Sequence, residues 1–252
     1  MLIVRSNNTI SMKNISKTIL TFLAAGVIGC GLLSSPAQAG LSTSGTLADL
    51  AANGGSIGIG DKVFSGFSFT TSGLTGFNAN NIIVSASIVD GVYYLDYSGN
   101  ISVVGAPNTA GSADLLLKYT VTATAGQIFM IDQNYTGSAS PQPGSFLSVD
   151  ETVKAGGIIV ANSHLDATDL SDPFSEPGDN LFVNPSQTTL DVTKDIAFGF
   201  GANNPDGSFV TISDVEQSFH QTVPEGGSAV ALLGMALASI EGARRLVRTR
   251  KA

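Results

Sequence analysis

From residue 40 to residue 220, apolar and polar side chains alternate with a period close to two, and clusters of Gly, Ser, Thr, Asn and Asp break the alternation at short intervals. A period of two is that of strands burying one face, and the clusters are turn chemistry. Residues 62–69 alternate in this way through Val63, Ser65, Phe67 and Phe69 or their neighbours. Residues 82–89 and 92–97 flank Asp90 and Gly91, a pair suited to a type I′ hairpin because both turn positions need positive φ. Further strands are expected at 101–104, 113–122, 127–132, 146–154 and 158–162, and a second hairpin at 190–200 and 209–219 around the turn at 203–207. Helical periodicity is nearly absent. One helical turn is expected at Leu47, Ala48, Asp49 and Leu50, with Thr46 as its cap and Gly54 and Gly55 ending it. Many short strands without alternating helices predict an all-β fold, an antiparallel β-sandwich of about nine or ten strands.

Both ends of the chain abandon this pattern. Lys13 and Lys17 precede the apolar stretch 19–33, and Ala37 and Ala39 sit just before Gly40 in an A-x-A arrangement. That is a signal peptide cut by signal peptidase before Gly40, with Met12 as an alternative start. Cys30, in the run Val27, Ile28, Gly29 and Cys30, keeps a lipoprotein reading open, although the apolar stretch continues past it to Leu33. At the other end Val223, Pro224, Glu225, Gly226, Gly227 and Ser228 lead into the apolar run 229–240 and then Arg244, Arg245, Arg248, Arg250 and Lys251. Proline and paired glycines separate this run from the strands before it. A helix over 228–243 would be roughly 24 Å long, short of the roughly 30 Å hydrocarbon core by a margin that snorkelling basic side chains can close. Positions 229–238 have no polar face, which argues against an amphipathic helix packed on the core. The basic stop predicts a cytoplasmic end and places everything before Val223 outside the membrane. The chain therefore divides into 1–39 as signal peptide, 40–222 as one exported domain, and 223–252 as motif, short transmembrane helix and basic tail.

Charge sharpens this division. Of twelve Lys and Arg, Arg5, Lys13 and Lys17 precede the domain and five follow it, so the domain keeps only Lys62, Lys118, Lys154 and Lys194 against eighteen acids. Nucleic acid and anionic polysaccharide are poor partners for such a surface without bridging cations. Cys30 is the single cysteine, so the exported domain has neither a disulfide nor a thiolate metal site.

Several constellations point to chemistry. Gly54, Gly55, Ser56, Ile57 and Gly58 match the letters of the G-x-S-x-G nucleophile elbow, but a strand follows where the elbow needs a helix. His164, Asp166, Asp169, Asp172, Glu176 and Asp179 form the densest acidic stretch, read as a solvated loop, with calcium binding as the alternative. Asp150, Glu151, Asp191 and Asp195 are the carboxylates a glycosidase would use; Asp150 and Glu151, as strand neighbours, should face opposite sides. Tyr93, Tyr94, Tyr97, Phe64, Phe67 and Phe69 offer a sugar-stacking platform of which alternation sends half to the core. The chain has no tryptophan.

The tail from Val223 to Lys251, with Ala231, Leu232, Leu233 and Gly234 inside it, resembles the PEP-CTERM class of bacterial sorting signals, and more closely its V-P-D-S-G variant, with Glu225 in place of aspartate. The resemblance implies recognition, and cutting at or near Val223–Ser228, by an exosortase in the inner membrane of a bacterium that makes exopolysaccharide. The blocks Gly58 to Phe67, Lys118 to Ala123, Ser148 to Val153, Val192 to Ile196 and Gln217 to Phe219 resemble an ectodomain common among such proteins, for which no activity is implied. Members often carry a cysteine before the first block and another after the third; Ser56 and Lys154 or Ala155 stand there in this chain. The expectation is thus a cell-surface or matrix protein, without catalytic residues, metal or cofactor, acting in a structural or interaction role. Binding of exopolysaccharide is the alternative and a secreted hydrolase a distant third.

Overall fold

The computed structural model describes residues 40–74, 76–140, 144–168, 174–203, 206–222 and 234–240, and the side chains of all of these except 174–178. The signal peptide with Ala37 and Ala39, the sorting motif Val223 to Ser228 and the basic stop from Arg244 to Lys251 lie outside the described residues; Gly40 is the first of them. Residues 234–240 are helical and exposed, and among the described residues no helix is long and apolar enough to cross a membrane.

Among the described residues twelve strands form two antiparallel sheets. In chain order they are β1 (Ser44–Thr46), β2 (Ile57–Ile59), β3 (Lys62–Ser72), β4 (Ile83–Val89), β5 (Val92–Gly105), β6 (Gly111–Ala123), β7 (Gln127–Ala139), β8 (Phe146–Ala155), β9 (Ile158–Thr168), β10 (Phe174–Gln187), β11 (Thr189–Phe200) and β12 (Ser208–Thr222). The first sheet runs β1-β4-β5-β12-β7-β10 and the second β2-β3-β6-β11-β8-β9. The all-β sandwich expected from the alternation is observed, with more strands than the nine or ten counted. Two of the extra strands, β1 and β2, are three residues long, too short to show a period. The third, β10, takes up the end of the acidic stretch read as a solvated loop, from Glu176 to Asp179.

Local chemistry explains the elements that matched. Asp90 and Gly91 both have positive φ, 51° and 83°, and turn β4 into β5. Helix α1 (Leu47–Ala52) is capped by Thr46, whose Oγ1 accepts from the Asp49 amide at 3.1 Å while Leu47 and Leu50 enter the core. Two expectations need correction. Residues 92–97 and 101–104 belong to one strand, because β5 bends past a register shift in β12 between Ile212 and Asp214 without leaving the ladder. The link across 201–207 does not make a hairpin: β11 lies in the second sheet and β12 in the first, so the chain crosses between layers there.

The core is the space between the sheets. Simple alternation fails in β3, where a bulge between Ser65 and Ser68 resets the register and lets both Phe64 and Phe67 point inward. Phe64 and Tyr119 from the second sheet meet Phe219 and Tyr97 from the first at ring-centroid distances of 5.3 to 6.5 Å. Such tilted contacts are the favoured geometry of aromatic pairs.

A polar cluster interrupts this apolar layer. Lys194 on β11 and Glu151 on β8 are direct cross-strand partners, 0% and 1% exposed, with Nζ to Oε2 at 3.0 Å. Lys194 also donates to Gln133 Oε1 of the opposite sheet at 2.6 Å, and Gln133 donates to Ser163 at 2.8 Å. Burial raises the Glu151 carboxyl above its ordinary value, and the Lys194 ammonium opposes that rise. The pair ties β7 of one sheet to β8, β9 and β11 of the other.

Candidate functional site

Strand alternation sends the even-numbered residues of β5 outward, so Leu95 and Tyr97 enter the core while Tyr94 and Asp96 stand on the outer face of the first sheet. Register then assembles rows across neighbouring strands. Asp96 pairs with Glu216 of β12, and Glu216 pairs with Asn134 of β7, whose Nδ2 donates to Glu216 Oε1 at 2.7 Å. In the next row Tyr94 faces Ser218, Ser218 faces Asp132, and Asp132 faces Asn180 of β10. Beyond it His220 faces Met130 and Met130 faces Phe182, with the Phe129 ring 6.4 Å from that of His220. A row of rings and thioether thus borders two rows of carboxylates, amides and hydroxyls. Strand spacing of about 4.8 Å makes the middle row, across four strands, roughly 15 Å long and the two three-strand rows roughly 10 Å.

The carboxylates of this face are half-buried and crowd one another. Asp96 is pushed up to about 6, first by burial and then by Glu216 and Asp214. Asp132 is raised as well, by burial and then by Asp179. Ser98 donates to Asp214 Oδ1 at 2.8 Å, which satisfies one member of the group. The arrangement offers paired acceptors and donors beside apolar rings. That chemistry suits a ligand with vicinal hydroxyls on one side and C–H surface on the other.

Most residues singled out from the sequence fall elsewhere. Phe64, Phe67 and Tyr97 are core, Phe69 packs against it, and Tyr93 lies under Lys62 Nζ, 4.0 Å from the ring centroid. Of the six rings proposed as a platform, Tyr94 alone joins the outer face. Asp150 and Glu151 do face opposite sides, Asp150 outward and Glu151 into the core. Asp150 and Asp195 are cross-strand partners on the outer face of the second sheet, where Asp195 is raised by burial and then by Asp114. His164 of β9 meets Asp150 there, Nδ1 to Oδ1 at 2.7 Å, with both side chains more than half exposed. Asp191 on the same sheet accepts from Thr120 Oγ1 at 2.8 Å. Ser56 immediately precedes β2, so a strand follows it.

The acidic stretch is dispersed by the fold. His164 and Asp166 are outward residues of β9, whereas Asp179 of β10 is the register partner of Gln133 beside the buried cluster. Asp169 and Asp172 lie outside the described residues, as does the Glu176 side chain. Among the described residues no group of three or more His, Cys, Asp or Glu is placed to hold a metal ion. A depression of about 500 Å³, lined by Val104, Gly105, Ser140, Ser208 and Phe209 among others, lies at one end of the sandwich, and none of these candidates lines it. Glu216, Asn134 and Asp132 were missed because nothing local marks them; the signal was the outward parity of β7 and β12 once their register is known.

No protein-family profile and no curated protein matches the sequence. Solved structures do. TmCBM61, in complex with β-1,4-galactotriose, is 10% identical with a TM-score of 0.30, over 62% of this chain and 89% of its own. The N-terminal cellulose-binding domain from Cellulomonas fimi β-1,4-glucanase C is 14% identical with a TM-score of 0.29, over 62% and 91%. The enzymatically active domain of bacteriophage CBA120 tailspike protein 4 is 10% identical with a TM-score of 0.28, over 60% of this chain and 19% of its own. Scores of this size assign no function to this chain.

Proposed function

We propose that the chain is an exported, surface-retained β-sandwich that binds a neutral, hydroxyl-rich polysaccharide on the outer face of its first sheet and catalyses no reaction on it. The observation that supports this reading is the adjacency of the rows Asp96–Glu216–Asn134 and Tyr94–Ser218–Asp132 to the row of rings and thioether His220–Met130–Phe182. Planar carboxylates and amides bond pairs of hydroxyls, and rings cover the apolar side of a sugar. A neutral ligand also escapes the repulsion that eighteen acids against four lysines impose on an anionic one. The test is a glycan array that includes the exopolysaccharide of the native cell, probed with the mature chain in detergent. Retention on a neutral saccharide, lost in Tyr94→Ala and Glu216→Gln, is expected; retention on no saccharide removes the reading.

Export and retention rest on the two ends of the sequence. The signal peptide ending at Ala39, the motif from Val223 to Ser228, the apolar run and the basic stop support sorting by an exosortase in the inner membrane. The intact mass of the protein from cells with and without the exosortase checks this. Loss of the residues after the motif in the first case alone is expected, and a mass running from Gly40 to Ala252 in both would leave the tail as a plain anchor. A structural or interaction role in the matrix without sugar binding is the second reading, favoured by the self-paired acids of the second sheet.

A further inference from the structure

The sandwich has two unlike ends, and the chain leaves for its tail from one of them. Thr222, the last residue of β12, pairs with Gln127 at the start of β7. Ala123 at the end of β6 pairs with Lys62 at the start of β3, and Lys154 near the end of β8 pairs with Asp191 near the start of β11. All these termini lie at one end, and Lys62 locks it: its ammonium donates to Asp61 at 2.8 Å and to Gln221, one residue before Thr222, over the Tyr93 ring. The exit point is therefore anchored to both sheets.

The same end carries the exposed apolar tips. β8 and β9 meet through Gly156 and Gly157, and Ile158 and Ile159 beyond them are 72% and 58% exposed. Successive strand residues face opposite sides, so the hairpin tip is apolar on both faces. Lys154, the register partner of Ile159, is exposed beside them. Val89, in the β4–β5 turn at this end but towards the other edge of the sandwich, is 55% exposed. Asp61, Asp90 and Asp191, the last of them the cross-strand partner of Lys154, are acids at this end. Six residues, from Val223 to Ser228, separate Thr222 from the apolar run, a leash of at most roughly 20 Å when fully extended.

We propose that this end docks on the lipid surface, with Ile158 and Ile159 entering the interfacial layer and Lys154 meeting phosphate headgroups. The proposal rests on the membrane-helix reading of the tail given above. A short leash holds the tip near the bilayer at high effective concentration, so two isoleucines and one lysine suffice where they would not for a free domain. Docking at this end stands the long axis of the strands away from the membrane and leaves the outer face of the first sheet open to solvent.

The absence of tryptophan makes single-tryptophan reporters clean. The variants Ile158→Trp, Val104→Trp at the opposite end, and Leu237→Trp in the tail are each placed in the chain from Gly40 to Ala252, which still carries its tail. Each is reconstituted in vesicles of phosphatidylethanolamine and phosphatidylglycerol with a brominated fraction. Strong quenching is expected for Leu237→Trp, quenching with a blue shift for Ile158→Trp, and none for Val104→Trp; Ile159→Asp added to Ile158→Trp should relieve its quenching by half or more. If Leu237→Trp is quenched while Ile158→Trp matches Val104→Trp, docking is overturned and the tail reading stands. If neither Leu237→Trp nor Ile158→Trp is quenched, both fall.

Discussion

The two outer faces of the sandwich are built from the same alternation and are both acidic, yet their side chains do different things. On the second sheet Thr120 bonds Asp191, and His164 bonds Asp150, with the latter pair standing well out in water, while Asp195 is crowded by Asp114 and Asp150. On the first sheet Asp96, Glu216 and Asp132 are half-buried and pressed together, and rings border them. Acid count therefore does not distinguish a binding face from a solvated one. Crowding beside rings does, because carboxylates held close at a cost in desolvation and repulsion retain capacity for hydroxyl groups, and the neighbouring rings supply the apolar cover that Asp195 and Asp114 lack.

The largest expected effect lies between the faces, in the interior they share. Lys194→Ala leaves the Glu151 carboxyl buried without its cation and should lower stability by about 3 to 5 kcal/mol in urea unfolding. Lys194→Met combined with Glu151→Leu removes both charges together and should recover most of that loss. A small effect in Lys194→Ala would show that the cluster does not join the layers.

Next comes the contrast in binding itself. Tyr94→Ala should weaken retention on the bound glycan by tenfold or more, about 1.4 kcal/mol, as truncation of a tyrosine anchor typically does. Thr193→Ala and Lys118→Ala, neighbours on the second sheet, should leave it unchanged. Equal losses on both faces would erase the comparison.

A smaller effect concerns the crowding. Asp96 titrates near 3.8 when unfolded and at about 6 when folded, so between those values the native state holds a proton that the unfolded state has released. Stability contributed by this group therefore falls as pH rises from about 4 to about 6. Solvent around a half-buried carboxyl reduces the effect to about 1 kcal/mol. Asp96→Asn should flatten that part of the stability profile, measured as urea midpoint against pH, and an unchanged slope would show that burial and the neighbouring Glu216 and Asp214 do not raise it.

How much of this was legible depends on the distance over which each feature is decided. The Asp90–Gly91 turn, the Thr46 cap and the opposite facing of Asp150 and Glu151 are settled by neighbours in the chain, and the alternation showed them. The buried lysine left a trace: Val192, Lys194 and Ile196 share one parity in a strand whose other inward residues are apolar. The binding face left none, because Asn134 and Glu216 are 82 positions apart and meet only through the register of β7 and β12. The acidic stretch misled for the same reason: of its described charges, His164 and Asp166 face outward on β9 and Asp179 pairs with Gln133 on β10.

The smallest expected effect tests the solvated face. Asp150 and His164 sit 2.7 Å apart, a spacing that suggests catalysis, but their side chains are 57% and 56% exposed. Water screens such a pair and ordering two side chains offsets part of its attraction, so a double-mutant cycle with Asp150→Ala and His164→Ala should give a coupling below about 1 kcal/mol in urea unfolding. Glycan retention should be unaltered in all three variants. A coupling of 2 kcal/mol or more would mean that this pair is held by more than the sheet beneath it, and the second face would then have to be counted as a site in its own right.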